Sequence, residues 1–304
     1  MAAATTRAQR IAAVGFDPAA REREPVHACN LCGSTHLVEV SRRDRYGYEQ
    51  PLVVCARCGL GFLSPRLSAR EYAGFYGDVY RPLVSAYHGR LIDAETVQAE
   101  QRDYARDLAA FLERVLPAPP GTILDIGGST GVVAGEVRAA LGCDVTVLDP
   151  APDELAVAEA AGMETIAGFA EDYDPAGRTW GLVLLCQTID HLLDVGATLR
   201  AMCSMLGTDG RAFVDVLDLG FMARRRGSVE GAAKVDHPYY LTRLTALAFF
   251  AAAGMAPVAE RMSHDGHWGF LLAPAEPRMP PAAPLRAHAD ALLADLWALR
   301  ATAS

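Results

Sequence analysis

The chain has 304 residues, of which 51% are hydrophobic and 21% charged, and its formal net charge is −9. This is enough apolar material for one large core with a smaller appendage, while the negative charge disfavours nucleic acid and anionic lipid as partners. No apolar run reaches the roughly 18 residues of a membrane helix, and the N-terminus lacks a clear signal peptide, so we expect a cytoplasmic protein of one or two domains.

After a flexible N-terminus, expected over residues 1–25, the first pattern is a pair of CxxC motifs. The motifs supply Cys29, Cys32, Cys55 and Cys58, with 22 residues between the two pairs. In a cytosolic chain, this doubled spacing predicts a tetrahedral zinc site, and four cysteines leave no open position for substrate. We therefore predict a structural zinc ribbon over residues 26–66; four reduced cysteines or a redox pair are the alternatives.

Residues 67–120 are predicted to form a helical connector, or lid. Ser68 and Glu71 have the spacing of a capping box, which favours a short helix through Phe75. Residues 91–116 place apolar groups at helical spacing, and the prolines that begin at Pro117 end this helix.

From residue 121 to about 275, strand-like and helix-like segments alternate, which predicts an α/β domain with a mainly parallel sheet. Two late apolar runs, PVAERM and HWGFLLAP, predict a closing antiparallel hairpin and bring the expected number of strands to seven. Residues 276–304 are predicted to form a proline-rich link and an amphipathic helix over about 283–301.

The stretch TILDIGGSTG places an acid and several glycines at the end of the first strand of this domain. Ligands of open α/β sheets bind at such strand ends, and glycines let the backbone approach them. The spacing differs from the dinucleotide pattern, and Asp125 suits a ligand with an ammonium group better than a pyrophosphate. Asp149, at the end of the second strand, is placed to bind ribose hydroxyls. An amino acid joined to a nucleoside indicates S-adenosylmethionine (SAM).

The stretch resembles the first motif of the class I SAM-dependent methyltransferases, an acid followed by three alternating glycines. Here the motif consists of Asp125, Gly127, Ser129 and Gly131, so serine replaces the middle glycine, and Gly128 is an additional one. The resemblance implies a Rossmann-like, seven-stranded domain that binds SAM. It implies further cofactor contacts at Phe169 and Ala170 for adenine, and at Cys186 and Gln187 for the methionine portion.

The CxxC pairs, the stretch SPRLSAREYAGFYGDVYR and the SAM motif together are similar to the zinc-binding C-methyltransferases of deoxysugar and natural-product biosynthesis. The resemblance covers roughly residues 26–275. It implies a small-molecule acceptor, such as a sugar, a nucleotide-linked substrate or another natural-product intermediate. Those enzymes carry a further C-terminal α/β domain, whereas this sequence continues with the proline-rich link and helix, so methyl transfer is implied more firmly than sugar C-methylation.

Methylation of a hydroxyl or a carbon acid needs a base. His237 and Tyr240 match the stretch that supplies acid and base in the deoxysugar enzymes, and His191 follows the fourth strand of the domain. Packing or capping roles are the alternatives for these residues. Tyr80 and Arg81, in the connector, are candidates to reach the methionine carboxylate, with surface packing as the alternative.

The basic segment 224–234 is expected to be an exposed loop, and phosphate binding is its alternative role. Two further function classes stay open. One is an RNA methyltransferase with a zinc ribbon, which the net acidity disfavours, and the other is a noncatalytic SAM-binding scaffold.

Overall fold

The computed structural model describes residues 5–263 and 266–302, which divide into two compact units. The first unit comprises residues 5–96, 219–240 and 282–302, and the second comprises residues 97–218 and 241–281. His264 and Asp265, in the predicted hairpin turn, lie outside the described residues.

The strands, in chain order, are β1 (Arg23–Glu24), β2 (Leu37–Arg43), β3 (Glu49–Cys55), β4 (Gly61–Leu63), β5 (Arg66–Leu67), β6 (Thr122–Ile126), β7 (Asp144–Asp149), β8 (Glu164–Ala167), β9 (Trp180–Leu185), β10 (Leu206–Leu217), β11 (Tyr239–Tyr240), β12 (Met255–Met262) and β13 (His267–Pro274). The α-helices are α1 (Arg7–Ala13), α2 (Ala69–Gly74), α3 (Tyr80–His88), α4 (Ala94–Val115), α5 (Val132–Leu141), α6 (Pro152–Ala160), α7 (Val195–Ser204), α8 (Leu219–Arg226), α9 (Val229–Ala232), α10 (Arg243–Ala252) and α11 (Ala282–Thr302).

A seven-stranded sheet forms the centre of the second unit, in the order β12-β13-β10-β9-β6-β7-β8. The neighbours from β10 to β8 are parallel, and β13 runs antiparallel to both β10 and β12. The strand order reverses between β6 and β9, so their carboxyl ends flank the position where open α/β sheets bind ligands. The predicted Rossmann-like α/β fold with a closing hairpin is confirmed.

Helix α4 packs against this sheet through one apolar face. Leu108 and Leu112, one helical turn apart, are fully buried and share a core with Ile123 of β6 and Leu182 of β9. The predicted helix at 91–116 is thus present with slightly shorter bounds.

The stretch GTDG, residues 207–210, has the composition of a turn but lies inside strand β10. The strand already pairs with β9 at Leu206 and pairs with it again from Arg211, with a shift of register between the two. The predicted turn is therefore an irregularity inside the strand.

The first unit contains an antiparallel four-stranded sheet in the order β11-β4-β3-β2, together with the short pair of β1 and β5. Helix α2 begins as predicted, because the Ser68 side chain accepts a hydrogen bond from the backbone N–H of Glu71. At the β4–β11 pair the backbones come close: a Cβ on Gly61 would lie 3.0 Å from the Cβ of Tyr240. A larger residue at this position would need its neighbours to shift by a few tenths of an ångström.

Residues 219–240, which the sequence analysis assigned to the SAM-binding domain, pack in the first unit. Leu219 and Val229 are buried in the same apolar cluster as Leu52 and Leu63 of the cysteine-containing sheet. Most of the stretch 224–234, expected to be an exposed loop, belongs to α8 and α9. The apolar side chains that flank the three arginines account for the difference, because Ala223, Val229 and Ala232 are buried in this core.

Helix α11, predicted over about 283–301, is also part of the first unit. Its residues Leu292, Leu293 and Leu296 belong to the apolar cluster that contains Leu52. Among the described helices, none combines the length and apolarity that a membrane-spanning segment requires.

Replacement of Leu296, which is 1% exposed, tests the contribution of α11 to this core. We expect Leu296→Ala to lower the free energy of unfolding by about 2–5 kcal/mol, because it leaves a cavity. The matched control is Leu91→Ala at a position that is 71% exposed, with an expected effect below about 0.5 kcal/mol. If denaturant unfolding gave equal changes in free energy for the two variants, the packing of α11 would not contribute to stability.

Candidate functional site

The loop between β6 and α5 contains three residues with positive φ angles. The φ angles are +69° at Gly127, +52° at Ser129 and +74° at Gly131, all in the left-handed region. Glycine adopts this region at little cost, which explains two of the three positions.

Ser129 departs from the motif, and two contacts hold it in its left-handed conformation. Its backbone N–H donates a hydrogen bond to Asp149 Oδ2 over 2.9 Å, and its hydroxyl bonds to the Glu154 carboxylate of α6. Non-glycine residues are uncommon at such φ values and depend on this kind of local support.

Gly127 and Gly128 are required for close packing in this loop. A Cβ on Gly127 would lie 2.5 Å from Thr188 Cγ2, and a Cβ on Gly128 would lie 2.6 Å from Asp125 Oδ2. The loop therefore lies directly against the Asp125 side chain.

Asp125 is 1% exposed, and neither of its carboxylate oxygens has a hydrogen-bond partner among the described residues. Burial, with smaller contributions from the charges of Asp149 and Asp215, raises the pKa of Asp125 to about 8. An unpartnered buried carboxylate is costly, so this position favours a proton or a cationic ligand.

Asp149, by contrast, is tied to the backbone at the end of β7. Its Oδ2 accepts from the N–H of Ser129 and its Oδ1 accepts from the N–H of Ala151, each over 2.9 Å. These two bonds fix the Asp149 carboxylate beside the backbone of the glycine loop.

The remaining predicted cofactor residues of the second unit follow the ends of β8 and β9. Phe169 is half-buried and precedes a single 3₁₀ turn that begins at Ala170. Cys186 is buried, and Gln187 has a φ of +54°, with its N–H donating to Asp215 Oδ1 over 2.6 Å.

The sequence analysis missed two residues of this region, Tyr104 and Asp215. The Tyr104 hydroxyl donates to Asp215 Oδ2 over 2.6 Å, and burial raises the pKa of both groups. An acid inside the apolar strand RAFVDVL was the available signal for Asp215. Tyr104 gave none, because it lies on a helix far from the motif in sequence.

His191 lies in a 3₁₀ turn after β9 and is half-buried. Its backbone N–H donates to the carbonyl of Thr188 over 2.9 Å. The turn places it in the second unit, with the glycine loop.

The four predicted zinc ligands form a compact cluster in the first unit. Their Sγ atoms all lie within 4.8 Å of one another, with 3.5 Å between Cys29 and Cys58 and 3.6 Å between Cys32 and Cys55. Tetrahedral zinc with Zn–S bonds of about 2.3 Å requires sulfur separations of about 3.8 Å. The cluster therefore has the dimensions of a zinc site.

Both turns of the cluster close as the spacing predicted. The N–H of Gly33 donates to the carbonyl of Cys29, and the N–H of Gly59 donates to the carbonyl of Cys55, each over 2.8 Å. The φ angles are +69° at Gly33 and +83° at Gly59, which glycine tolerates best.

The thiols of this cluster shift one another's pKa values. Hydrogen bonds from Cys29 and Cys58 lower the pKa of Cys55 to about 2, and hydrogen bonding within the cluster raises the pKa of both donors. Ionisation of all four thiols requires a cation among them.

His237 and Tyr240 both lie in the first unit. His237 is 9% exposed, and its Nε2 lies 2.7 Å from the Nζ of Lys234. The Tyr240 hydroxyl accepts from the N–H of Lys234 over 2.6 Å and donates to its carbonyl over 2.9 Å. The hydroxyl is therefore engaged with the backbone through both its donor and its acceptor.

Tyr80 and Arg81 begin α3, also in the first unit. The Tyr80 ring packs against Phe75 and Tyr76, with centroid distances of 6.1 and 5.6 Å, and the Arg81 guanidinium lies 5.6 Å from the Tyr80 centroid. They belong to an aromatic cluster on the connector.

The sequence is similar to those of known methyltransferases. The ubiquinone biosynthesis O-methyltransferases of Methylobacterium nodulans and Azorhizobium caulinodans are 34% and 33% identical to the chain over 113 and 102 residues. These matches cover 34% and 32% of the chain, and 44% and 40% of the relatives, so the chain spans less than half the length of either.

Among solved structures, the PH0226 protein from Pyrococcus horikoshii OT3 shares the fold, with a TM-score of 0.51 and 17% identity. The match covers 58% of this chain and 91% of that one. The methyltransferase domain family matches residues 99–260, more than half of the chain, and these residues contain the glycine loop and most of the seven-stranded sheet. The chain belongs to the methyltransferase domain family.

Proposed function

We propose that the protein transfers a methyl group from SAM to a small-molecule acceptor, a sugar or another natural-product intermediate, at oxygen or carbon. The observation that carries the proposal is the buried, unpartnered Asp125 against the glycine loop. The names of the curated relatives favour oxygen as the methylated atom.

The residues of the second unit fit SAM by their chemistry. When bound, SAM supplies an electrophilic methyl group on a positively charged sulfonium. Asp125 and the backbone of Gly127, Gly128, Ser129 and Gly131 are proposed to hold its cationic methionine portion, since a carboxylate without partners favours a positive ligand.

The remaining proposed contacts follow the family resemblance. Asp149 takes the ribose hydroxyls, Phe169 and Ala170 border adenine, and Cys186 and Gln187 border the methionine portion. Tyr80 and Arg81 are proposed contacts of the methionine carboxylate, because the guanidinium of Arg81 is a suitable donor for it.

The Asp125→Asn substitution separates ligand binding from stability. In the unfolded chain an aspartate has a pKa of about 3.9, whereas burial raises the pKa of Asp125 to about 8 in the ligand-free protein. Between these values the native state retains a proton that the unfolded state releases, so stability falls as pH rises. As pH rises from 5 to 8, the free energy of unfolding of Asp125→Asn relative to that of wild type should increase by on the order of 1 kcal/mol or more.

The same variant should bind SAM roughly tenfold or more weakly, because a charge-assisted contact is lost. Denaturant unfolding and calorimetric titration with SAM measure the two effects. Asp153→Asn is the control, since it removes the same charge from an exposed position on α6, and it should follow wild type in both. Unchanged SAM affinity in Asp125→Asn would remove Asp125 from the cofactor site.

We propose His237 as the acid/base group of the transfer, with His191 as the other candidate. Tyr240 was predicted to share this role, but its hydroxyl bonds to the backbone of Lys234. We therefore assign Tyr240 to positioning the segment that carries Lys234 and His237.

Turnover is tested with methyl-deuterated SAM and a panel of phenols, sugars and nucleotide sugars, with label transfer read by mass spectrometry. We expect His237→Asn to reduce turnover by about 10²- to 10⁴-fold, the usual contribution of a general base. The exposed His36→Asn variant should leave turnover unchanged. SAM binding without transfer to any acceptor would instead favour a binding scaffold.

We propose that Cys29, Cys32, Cys55 and Cys58 hold one structural Zn²⁺ in a ribbon formed by residues 26–66. The support is the donor set, four thiols at separations that suit a tetrahedral ion. Such an ion stabilises the thiolate forms and cross-links the two turns.

Native mass spectrometry of the purified protein should therefore show one zinc ion per chain. We expect Cys58→Ser to lose this mass and to melt at a lower temperature, because a ligand is missing. Cys203→Ser should keep both properties, since Cys203 lies outside the cluster on α7. A zinc-free wild type would leave a cluster of reduced cysteines.

A further inference from the structure

Lys234 is the only lysine in the chain, and its side chain is only 13% exposed. Its Nζ lies 2.8 Å from Asp236 Oδ2 and 2.7 Å from His237 Nε2. Asp236 is fully buried, and its Oδ2 lies 3.6 Å from His237 Nε2. Two bases and one acid thus form a compact group.

The surroundings within the first unit hold this group in place. The N–H of Val235 donates to Asp44 Oδ2 over 2.9 Å, and the hydroxyls of Tyr72 and Tyr76 donate to the carbonyls of Val235 and Asp236, each over 3.1 Å. Within the first unit, the ionisable groups that interact with this segment include Asp44, Arg45, Tyr46, Tyr72, Tyr76 and Tyr240.

The 2.7 Å between Lys234 Nζ and His237 Nε2 is a hydrogen-bond distance, so one hydrogen atom lies between the two nitrogens. An ammonium group has no acceptor, and a protonated imidazole has none, so the two charged forms cannot bond to each other. Either Lys234 donates to an unprotonated Nε2, or an Nε2–H donates to the neutral amine. Each arrangement keeps a single proton between the two atoms.

We infer that Lys234 and His237 hold one proton between them and, with Asp236 as counter-ion, form the acid/base group of the proposed methyl transfer. The catalytic part of this inference rests on the proposed function. Two coupled bases bind the first proton more tightly than either base alone, and they resist the second. The pair therefore changes between charges of 0 and +1 as one unit.

In the neutral pair the Nε2–H of His237 donates to the Lys234 amine, so Nδ1 is the ring nitrogen that would take up the proton of the acceptor. The acceptor loses one proton to the pair, whose charge rises from 0 to +1 beside the carboxylate of Asp236. The methyl group that replaces this proton comes from the SAM sulfonium, whose positive charge is lost, so the total charge is conserved.

The first experiment compares pH–rate profiles of wild type and two variants. Lys234→Gln leaves His237 as a single base. We expect the rising limb of its pH–rate profile to shift to lower pH by at least about one unit, which corresponds to a tenfold lower proton affinity. Lys234→Arg keeps the charge but cannot become neutral, so we expect at least about 100-fold lower turnover at every pH.

A purely structural or charge role for Lys234 predicts the opposite ranking, with Arg retaining more activity than Gln. That ranking, or an unchanged limb in Lys234→Gln, overturns the inference. Arg226→Gln, an exposed position on α8, is the matched control and should keep the wild-type profile. SAM affinity and melting temperature are measured for every variant, so that loss of folding or of the cofactor site is recognised.

The second experiment does not depend on turnover. Because the chain has one lysine, protein labelled with ¹⁵N-lysine gives one Nζ resonance, and ¹⁵N-histidine labelling with His237→Asn assigns the ring of His237. A shared proton requires both side chains to show the same two inflections with pH. Independent titration at separate pH values contradicts the pair, even if the protein transfers no methyl group.

Discussion

The cost of burying a carboxylate at the end of a parallel strand is the constraint on which the candidate cofactor site depends. The carboxylates of Asp149 and Asp215 offset that cost by accepting hydrogen bonds from backbone N–H groups and, for Asp215, from the hydroxyl of Tyr104. Asp125 has no such partner among the described residues, and the glycine loop excludes water from its side. A proton or a cationic ligand on Asp125 would offset this cost, which is the basis for proposing that Asp125 contacts SAM.

The first unit uses a buried carboxylate in a different way. Asp44 accepts hydrogen bonds from the N–H groups of Tyr46, Tyr48 and Val235, and burial raises its pKa to about 7. It thereby joins the turn after β2 to the segment that carries Lys234. The four-stranded sheet is thus hydrogen-bonded to the distant stretch of sequence that carries Lys234 and His237.

The role of a side chain in this structure follows from its partners more than from its type. The hydroxyl of Tyr240 has the chemistry of an acid or base, yet it bonds twice to the backbone of Lys234. Lys234 belongs to the basic segment that was predicted to be an exposed loop, yet its side chain contacts both Asp236 and His237. These hydrogen bonds are the basis of the proposed roles, because a buried group already bonded to the backbone is costly to release.

The sequence by itself determined the features that depend on near neighbours in the chain. The glycine loop at Asp125, the cysteine turns, the seven strands and most helix bounds follow from short spacings and periodicity. Tertiary structure alone decided that residues 219–240 and α11 join the cysteine unit, that Tyr104 meets Asp215, and that Asp44 reaches Val235. These contacts join residues more than 100 positions apart, and they form because apolar and polar groups must find partners as they leave water, which no local pattern records.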